Sequence, residues 1–361
     1  MVSRFRLFIV LFCCLAHSVV AGGSAWLDRV MDGAIDLPVI GVPMIAYSPE
    51  TNWAFGGALQ GYFRCEGQKE TSVIQLDGSY SLNRQWYLHS KGTVYVGRTR
   101  TWIIQYDGGY RDYPDKTFER GNRFEIKPAL SYSSYRGYVR GSGLCAIGMG
   151  WSAGPQLHYF YERAEGVQPT ASLLGLGGVV RYDTRDTHFY PRTGVFFQLS
   201  GIHYESFTQD LSRMGLISTD LRHYIPLYKD LLFAWQFRSE WSVGTAANRP
   251  FQFLPTLGGE DLIRGVRMGM FRDDAMLALQ GELRFPVFSL LSGAVFAGVG
   301  DVYCYDDWRW TIPKVGYGIG LRLKVNKANI NVRVDLARNN LYKSWTARES
   351  YSFYLTVTEA F

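Results

Sequence analysis

The sequence predicts an all-β protein: a transmembrane antiparallel β-barrel of about 16 strands with a long extracellular loop folded into the lumen. Three observations lead there. Segments of about ten residues alternate between apolar and polar side chains, and the polar positions carry charge. The chain holds 39 glycines and 16% aromatics but no run of 18 apolar residues, so a helical route across a bilayer is closed. Finally, Gly258 to Phe271 reads G-G-E-D-L-I-R-G-V-R-M-G-M-F, too long for a tight hairpin turn and lacking strand character. Long loops of that kind are uncommon unless functional. With Arg264-Gly265 at its centre, it is expected to fold back into the barrel with Arg264 at its tip.

Taken in order, residues 1–21 have the form of a secretory signal: Arg4 and Arg6, an apolar run from Leu7 to Ala16, then small residues ending at Ala21. Cys13 and Cys14 follow Leu11 and Phe12 rather than small residues, which argues against a lipoprotein cleavage site. Residues 22–39 form the one helix-like piece. Trp26, Leu27, Val30, Met31 and Ile35 fall near a 3.6-residue period with Asp28, Arg29 and Asp32 opposite, giving a short periplasmic amphipathic segment. A plug entering the barrel is its alternative.

From residue 40 to 361 the period is two. Trp86, Leu88 and Val94 alternate with Tyr87, His89, Lys91 and Tyr95; Trp102, Ile104 and Tyr106 alternate with Gln105 and Asp107. Leu231, Phe233, Trp235 and Phe237 alternate with Gln236, Arg238 and Glu240, and Ile330, Val332 and Val334 with Asn331, Arg333 and Asp335. Only a closed barrel satisfies every backbone group in lipid without helices. Short turns are expected at Asn83-Arg84 and Asn326-Lys327, and longer connections at Pro114 to Asn122 and Ala164 to Thr170. The last strand is expected over Tyr351 to Phe361, with Phe353, Leu355, Val357 and Phe361 on one face as a C-terminal signal strand that closes against the first.

Charge and cysteine content exclude several classes. Without Arg4 and Arg6, 36 basic residues face 32 acids, a scattered net charge of +4 that does not suggest nucleic-acid binding. Cys65, Cys145 and Cys304 are too far apart for a metal-ligand spacing, although one pair could bridge in an oxidising compartment. No cofactor or metal is implied. No G-x-S-x-G or H-E-x-x-H occurs, so an enzyme is not expected. The one acid–base spacing, Asp186 and His188, lies in a block better explained as strand-end architecture. The G-x-G-x-G from Gly316 to Gly320 reads as room made for a close neighbour rather than a nucleotide loop.

Several blocks together resemble the BamA/TamA superfamily of outer-membrane assembly and translocation proteins, the bacterial surface antigen family. Tyr47 to Gly57 (Y-S-P-E-T-N-W-A-F-G-G) looks like that family's opening strand pair. Tyr182 to Gly194 (Y-D-T-R-D-T-H-F-Y-P-R-T-G) resembles its D-T-R-D block, with Asp183, Arg185, Asp186, Pro191 and Gly194 forming a strand-turn unit. L-G-G-E-D-L-I-R-G-V-R resembles its inward loop, followed by the strand L-Q-G-E-L-R-F-P.

The resemblance implies that Ile263, Arg264 and Gly265 form a loop-lock motif and that Glu282 is the wall acid receiving Arg264. Strand parity agrees, since Gln280, Glu282 and Arg284 share a polar face. Two departures stand out. Phe296-Ala297-Gly298 puts glycine where the family carries a second aspartate, leaving Asp335 on a later strand as a candidate substitute, and Val266 replaces an aromatic. Both imply a looser lock or a reduced job for it.

The likeness further implies a Gram-negative outer-membrane location and partners among outer-membrane lipids and nascent outer-membrane proteins, with a homodimer left open. The sequence shows no POTRA region, so a barrel-only member is expected. Two functions follow. One is insertion or translocation through a lateral seam between first and last strands; the other is a pore or structural barrel gated by the folded-in loop.

Overall fold

The computed structural model describes residues 39–48, 52–66, 68, 70–97, 101–125, 128–167, 170–188, 190–208, 213–244, 249–288, 290–324, 331–342, 350–357 and 360–361. The signal and amphipathic segments read from the sequence, and the Asn326-Lys327 turn, lie outside them.

Sixteen strands make one antiparallel sheet in which neighbours in the chain are neighbours in space. The first five are β1 (Val39–Ser48), β2 (Asn52–Phe63), β3 (Ser72–Ser81), β4 (Trp86–Val96) and β5 (Trp102–Thr117). Next come β6 (Leu130–Gly148), β7 (Trp151–Ala164), β8 (Ala171–Asp183), β9 (Gly194–Ser206), β10 (Met214–Tyr228) and β11 (Leu231–Gly244). Two-residue strands, β12 (Thr256–Leu257) and β13 (Phe271–Arg272), pair with each other inside the following loop. The sheet resumes with β14 (Ala275–Phe288), β15 (Leu291–Tyr303), β16 (Lys314–Lys324), β17 (Asn331–Asn339) and β18 (Tyr351–Val357).

Alternation decides which face each side chain takes. On β14, Met276, Ala278, Gln280, Glu282 and Arg284 are buried inward, while Leu279 is exposed outward. Val295, Ile319 and Leu336 repeat that outward exposure on β15, β16 and β17, as an apolar band facing lipid requires. Two-residue turns join β6 to β7 and β10 to β11 on one rim, with positive φ at Met149 and Lys229 matching the strand twist. The long β5–β6, β11–β14 and β15–β16 connections leave from the other rim, which marks it as the extracellular one.

The wall is uneven. It reaches 19 residues at β6 and falls to nine and seven at β17 and β18. β1 and β18 end the pairing order, and among the described residues no ladder joins them.

Three expectations need correcting. Pro114 does not begin a loop; it lies inside β5 opposite Ser133, because the tall β5–β6 hairpin continues to Thr117. Phe361 does not extend β18: the strand stops at Val357, and Phe361 is buried with Tyr224, Leu232 and Ala234, where Arg284 Nη2 donates to its carbonyl at 3.4 Å. A polar lumenal cation and an apolar pocket together outbid the lipid face. Cys65, Cys145 and Cys304 are all free, so no pair bridges.

Candidate functional site

The β11–β14 connection is the site around which the lumen is built. It crosses the barrel in two steps. A single 3-10 turn, Phe251–Phe253, leads off, and its Phe253 ring packs edge-on against Phe160 and Tyr204, both at 4.8 Å between centroids. His158 Nδ1 lies 2.7 Å from the Tyr204 hydroxyl, satisfying both polar groups beside that apolar contact. The chain then turns back, and Leu257, Leu262, Ile263, Val266, Met270 and Phe271 form a buried cluster with Met276 and Ala278 of β14 and Val302 of β15.

Arg264 sits at the bottom of this fold. Ile263 before it has φ 50° and Gly265 after it has φ 101°, so the backbone reverses sharply at the arginine. A Cβ on Gly265 would come within 2.7 Å of the Arg338 carbonyl oxygen on β17; only glycine lets the loop approach that closely. The same need explains Gly316 of β16, where a Cβ would lie 2.1 Å from the Arg264 carbonyl oxygen.

The guanidinium is 1% exposed and meets two carboxylates. Nη2 donates to Glu282 Oε2 at 2.6 Å and Nη1 to Asp335 Oδ2 at 2.7 Å. Arg322 donates to the other oxygen of each acid, to Asp335 Oδ1 at 2.5 Å and Glu282 Oε1 at 3.0 Å. The four side chains therefore close a ring of alternating charge. Arg284 adds a third donor to Glu282 at 2.8 Å, and Arg333 lies 3.5 Å from Asp335. Arg264 also stacks over Phe296, 3.5 Å from the ring centroid. Charge-assisted bonds of this kind are roughly twice as strong as neutral ones, and their dry setting keeps water from screening them.

Gly298, where an aspartate was expected, gives its space to Ile263: a Cβ there would lie 2.8 Å from Ile263 Cδ1. Asp335 supplies the second acid from β17 instead. The loop backbone is held beside it, for Asn339 Nδ2 donates to the Gly265 carbonyl at 2.7 Å and Gly265 N–H donates to the Tyr354 hydroxyl of β18 at 3.1 Å. Burial and the adjacent Asp261 raise the pKa of Glu260 at the loop's flank.

A second set of contacts, invisible to periodicity, seals the extracellular rim. Arg120 from the β5–β6 loop pairs with Asp273 at 2.5 Å and with Asp274. Arg249 Nη1 also reaches Asp274, at 2.9 Å. Burial opposes the Arg120 charge, yet hydrogen bonding and attraction from Asp273 and Asp274 raise its pKa. Gly121 N–H donates to the Arg272 carbonyl, and Phe118 joins the loop's apolar cluster. Asp273, Asp274 and Cys304 bring ligand atoms within 4.8 Å of one another, but the two arginines already neutralise the carboxylates.

The D-T-R-D block serves the opposite rim. Asp183 accepts from Arg185 Nη2 at 2.7 Å, while Asp186 Oδ1 accepts the backbone N–H groups of Thr187, Arg192 and Thr193 and so staples the turn. A Cβ at Gly194, where φ is 103°, would strike the Thr184 carbonyl at 2.3 Å, and Pro191 is buried in the same turn. His188 faces Tyr95, whose hydroxyl lies 2.9 Å from Nε2; burial and Arg185 lower its pKa. Asp186 and His188 thus take separate structural partners and form no acid–base pair with each other. At the C-terminal strand Phe353 is exposed outward, consistent with a lipid-facing position.

The Omp85 superfamily domain matches residues 80–361. Among solved structures, the fold is similar to BamA from Haemophilus ducreyi lacking POTRA domains 1–3, with a TM-score of 0.59 and 14% identity over 89% of this chain and 70% of that one. It is equally similar to CdiB from Acinetobacter baumannii, TM-score 0.59 and 11% identity, over 88% of this chain and 59% of that one. No curated protein matches in sequence. The chain belongs to the Omp85 superfamily and is a β-barrel of the Gram-negative outer membrane.

Proposed function

We propose that this barrel acts in outer-membrane biogenesis by opening between β1 and β18 so that a nascent outer-membrane protein can pair with the freed edges. One observation carries the reading: the two terminal strands are unjoined among the described residues, while the folded-in loop grips β17 and β18 next to that gap. Unpaired strand edges are templates for strand addition. Arg264, Glu282 and Asp335 are then the lock that fixes the loop, and with it the last strands, while β1 stays free to move. No catalytic step is assigned to the protein.

A direct test places one cysteine in β1 and one in β18, in a background with Cys65, Cys145 and Cys304 replaced. Oxidation in native membranes should impair envelope assembly, and reductant should restore it. Normal assembly with a fully locked seam would remove the lateral reading.

It would leave the second one, a loop-gated pore or structural barrel. That alternative is favoured by a lumenal cavity of about 490 Å³ lined by β2–β11. A homodimer is compatible with either reading.

A further inference from the structure

The cavity just mentioned lies on the turn-rim side of the Phe253–Tyr204 contact, against the walls of β2–β11, and takes no part in the lock. Its lining is mostly polar, interrupted by Val73 and Val179, and its charges are out of balance. Lys91, Arg140, Arg181, Arg222 and Arg238 face it against only Asp107 and Asp220. Register places them in two rows. Lys91 pairs across to Asp107 and Asp107 to Arg140; Arg181 pairs across to Gln198, then Asp220, then Arg238.

Two of these cations have acids of their own. Arg222 holds Asp220 at 2.5 Å, and Arg238 holds Glu240 at 2.7 Å. Arg181 does not. It is 7% exposed, and its guanidinium is held by the side-chain oxygens of Gln198 and Gln105, with no carboxylate in ion-pair distance among the described residues. Arg181, Arg185 and Arg222 also crowd one ring, all within 5.6 Å of the Phe196 centroid. Asp183 and Asp220 answer the other two. A buried charge without a counter-charge in contact is costly, so an anion entering the cavity beside Arg181 would be favoured.

We propose that this turn-side cavity is a binding site for a soluble anion carrying at least two phosphate or carboxylate groups, with Arg181 as its buried anchor and Lys91 and Arg140 as its outer contacts. Two strand spacings separate Lys91 from Arg140, about 10 Å, which suits a ligand with more than one charged group. The glutamine amides and hydroxyls around them supply hydrogen bonds that a single ion would not use. The site is independent of the seam: it would bind its ligand whether or not β1 and β18 separate.

The test is calorimetric titration of the purified full-length protein in neutral detergent with inorganic tripolyphosphate. Saturable, salt-sensitive binding is expected, weakened at least tenfold in Arg181→Gln and unchanged in Arg309→Gln on the exposed β15–β16 loop. A K91Q/R140Q double variant, which leaves the buried anchor intact, should lose affinity without losing stoichiometry. Three results would overturn the proposal. These are absence of saturable binding, equal affinity in Arg181→Gln and wild type, and binding only in nanodiscs of phosphatidylglycerol, which would assign the charge to a lipid headgroup.

Discussion

The two sides of the lumen solve the same problem in opposite ways. Both line a barrel interior with charged side chains. Toward β14–β17, four arginines and two acids are packed dry under a loop, and glycines on β15 and β16 are spent on bringing backbones together. Toward β2–β11, charges of the same kind stand around an open cavity of about 490 Å³ and pair largely along their own strands, as Arg222 does with Asp220. The difference shows that strand parity puts a charge inside, but a loop decides whether that charge becomes a structural bond or stays available.

Variants should separate the two sides by the size of their effects. Glu282→Gln is expected to be the most damaging, since Arg264, Arg284 and Arg322 all lean on that carboxylate; losing one partner of a buried ion network costs about 3–5 kcal/mol. The readout is the temperature at which the purified barrel loses its folded electrophoretic mobility. Phe253→Ala removes the ring that docks the loop across the barrel and should cost about 3 kcal/mol; partial proteolysis near residue 251 would reveal the released turn. Gly316→Ala pushes a methyl into the Arg264 carbonyl and should cost about 1–3 kcal/mol through overpacking, with denaturant midpoints as the measure. On the open side, Ser142→Ala should change stability by no more than about 0.5 kcal/mol. If it destabilises as much as Gly316→Ala, the cavity is not the loosely packed region described.

The lock was half legible in the sequence. Arg264 and Glu282 could be matched because one sits in a recognisable loop and the other has inward parity on the next strand. Asp335 could only be named as a candidate, since nothing local links it to residue 264; 71 positions separate them. The structure also explains why glycine at 298 does not leave Arg264 short of an acid.

Other contacts carried no signal. Arg120 with Asp273, or Phe253 with Phe160, join segments that have no common period, and the ring closed by Arg322 depends on barrel curvature. Phe361 was misplaced for a related reason: alternation predicts the face of a residue only while the strand lasts, and β18 ends before it. Pro114 errs in the reverse sense: the connection expected over Pro114 to Asn122 begins later, because the β5–β6 hairpin continues to Thr117.

Arg264 latches the loop to the wall on one side of the lumen, while the other side stays independent. Hydrogen–deuterium exchange of the detergent-solubilised protein, wild type against Arg264→Ala, tests it most directly. Slow exchange is expected across Gly258–Phe271 in wild type, fast exchange there in the variant, and unchanged exchange across β4–β6 in both. A loop that already exchanges fast in wild type, or one that stays protected in Arg264→Ala, would contradict it.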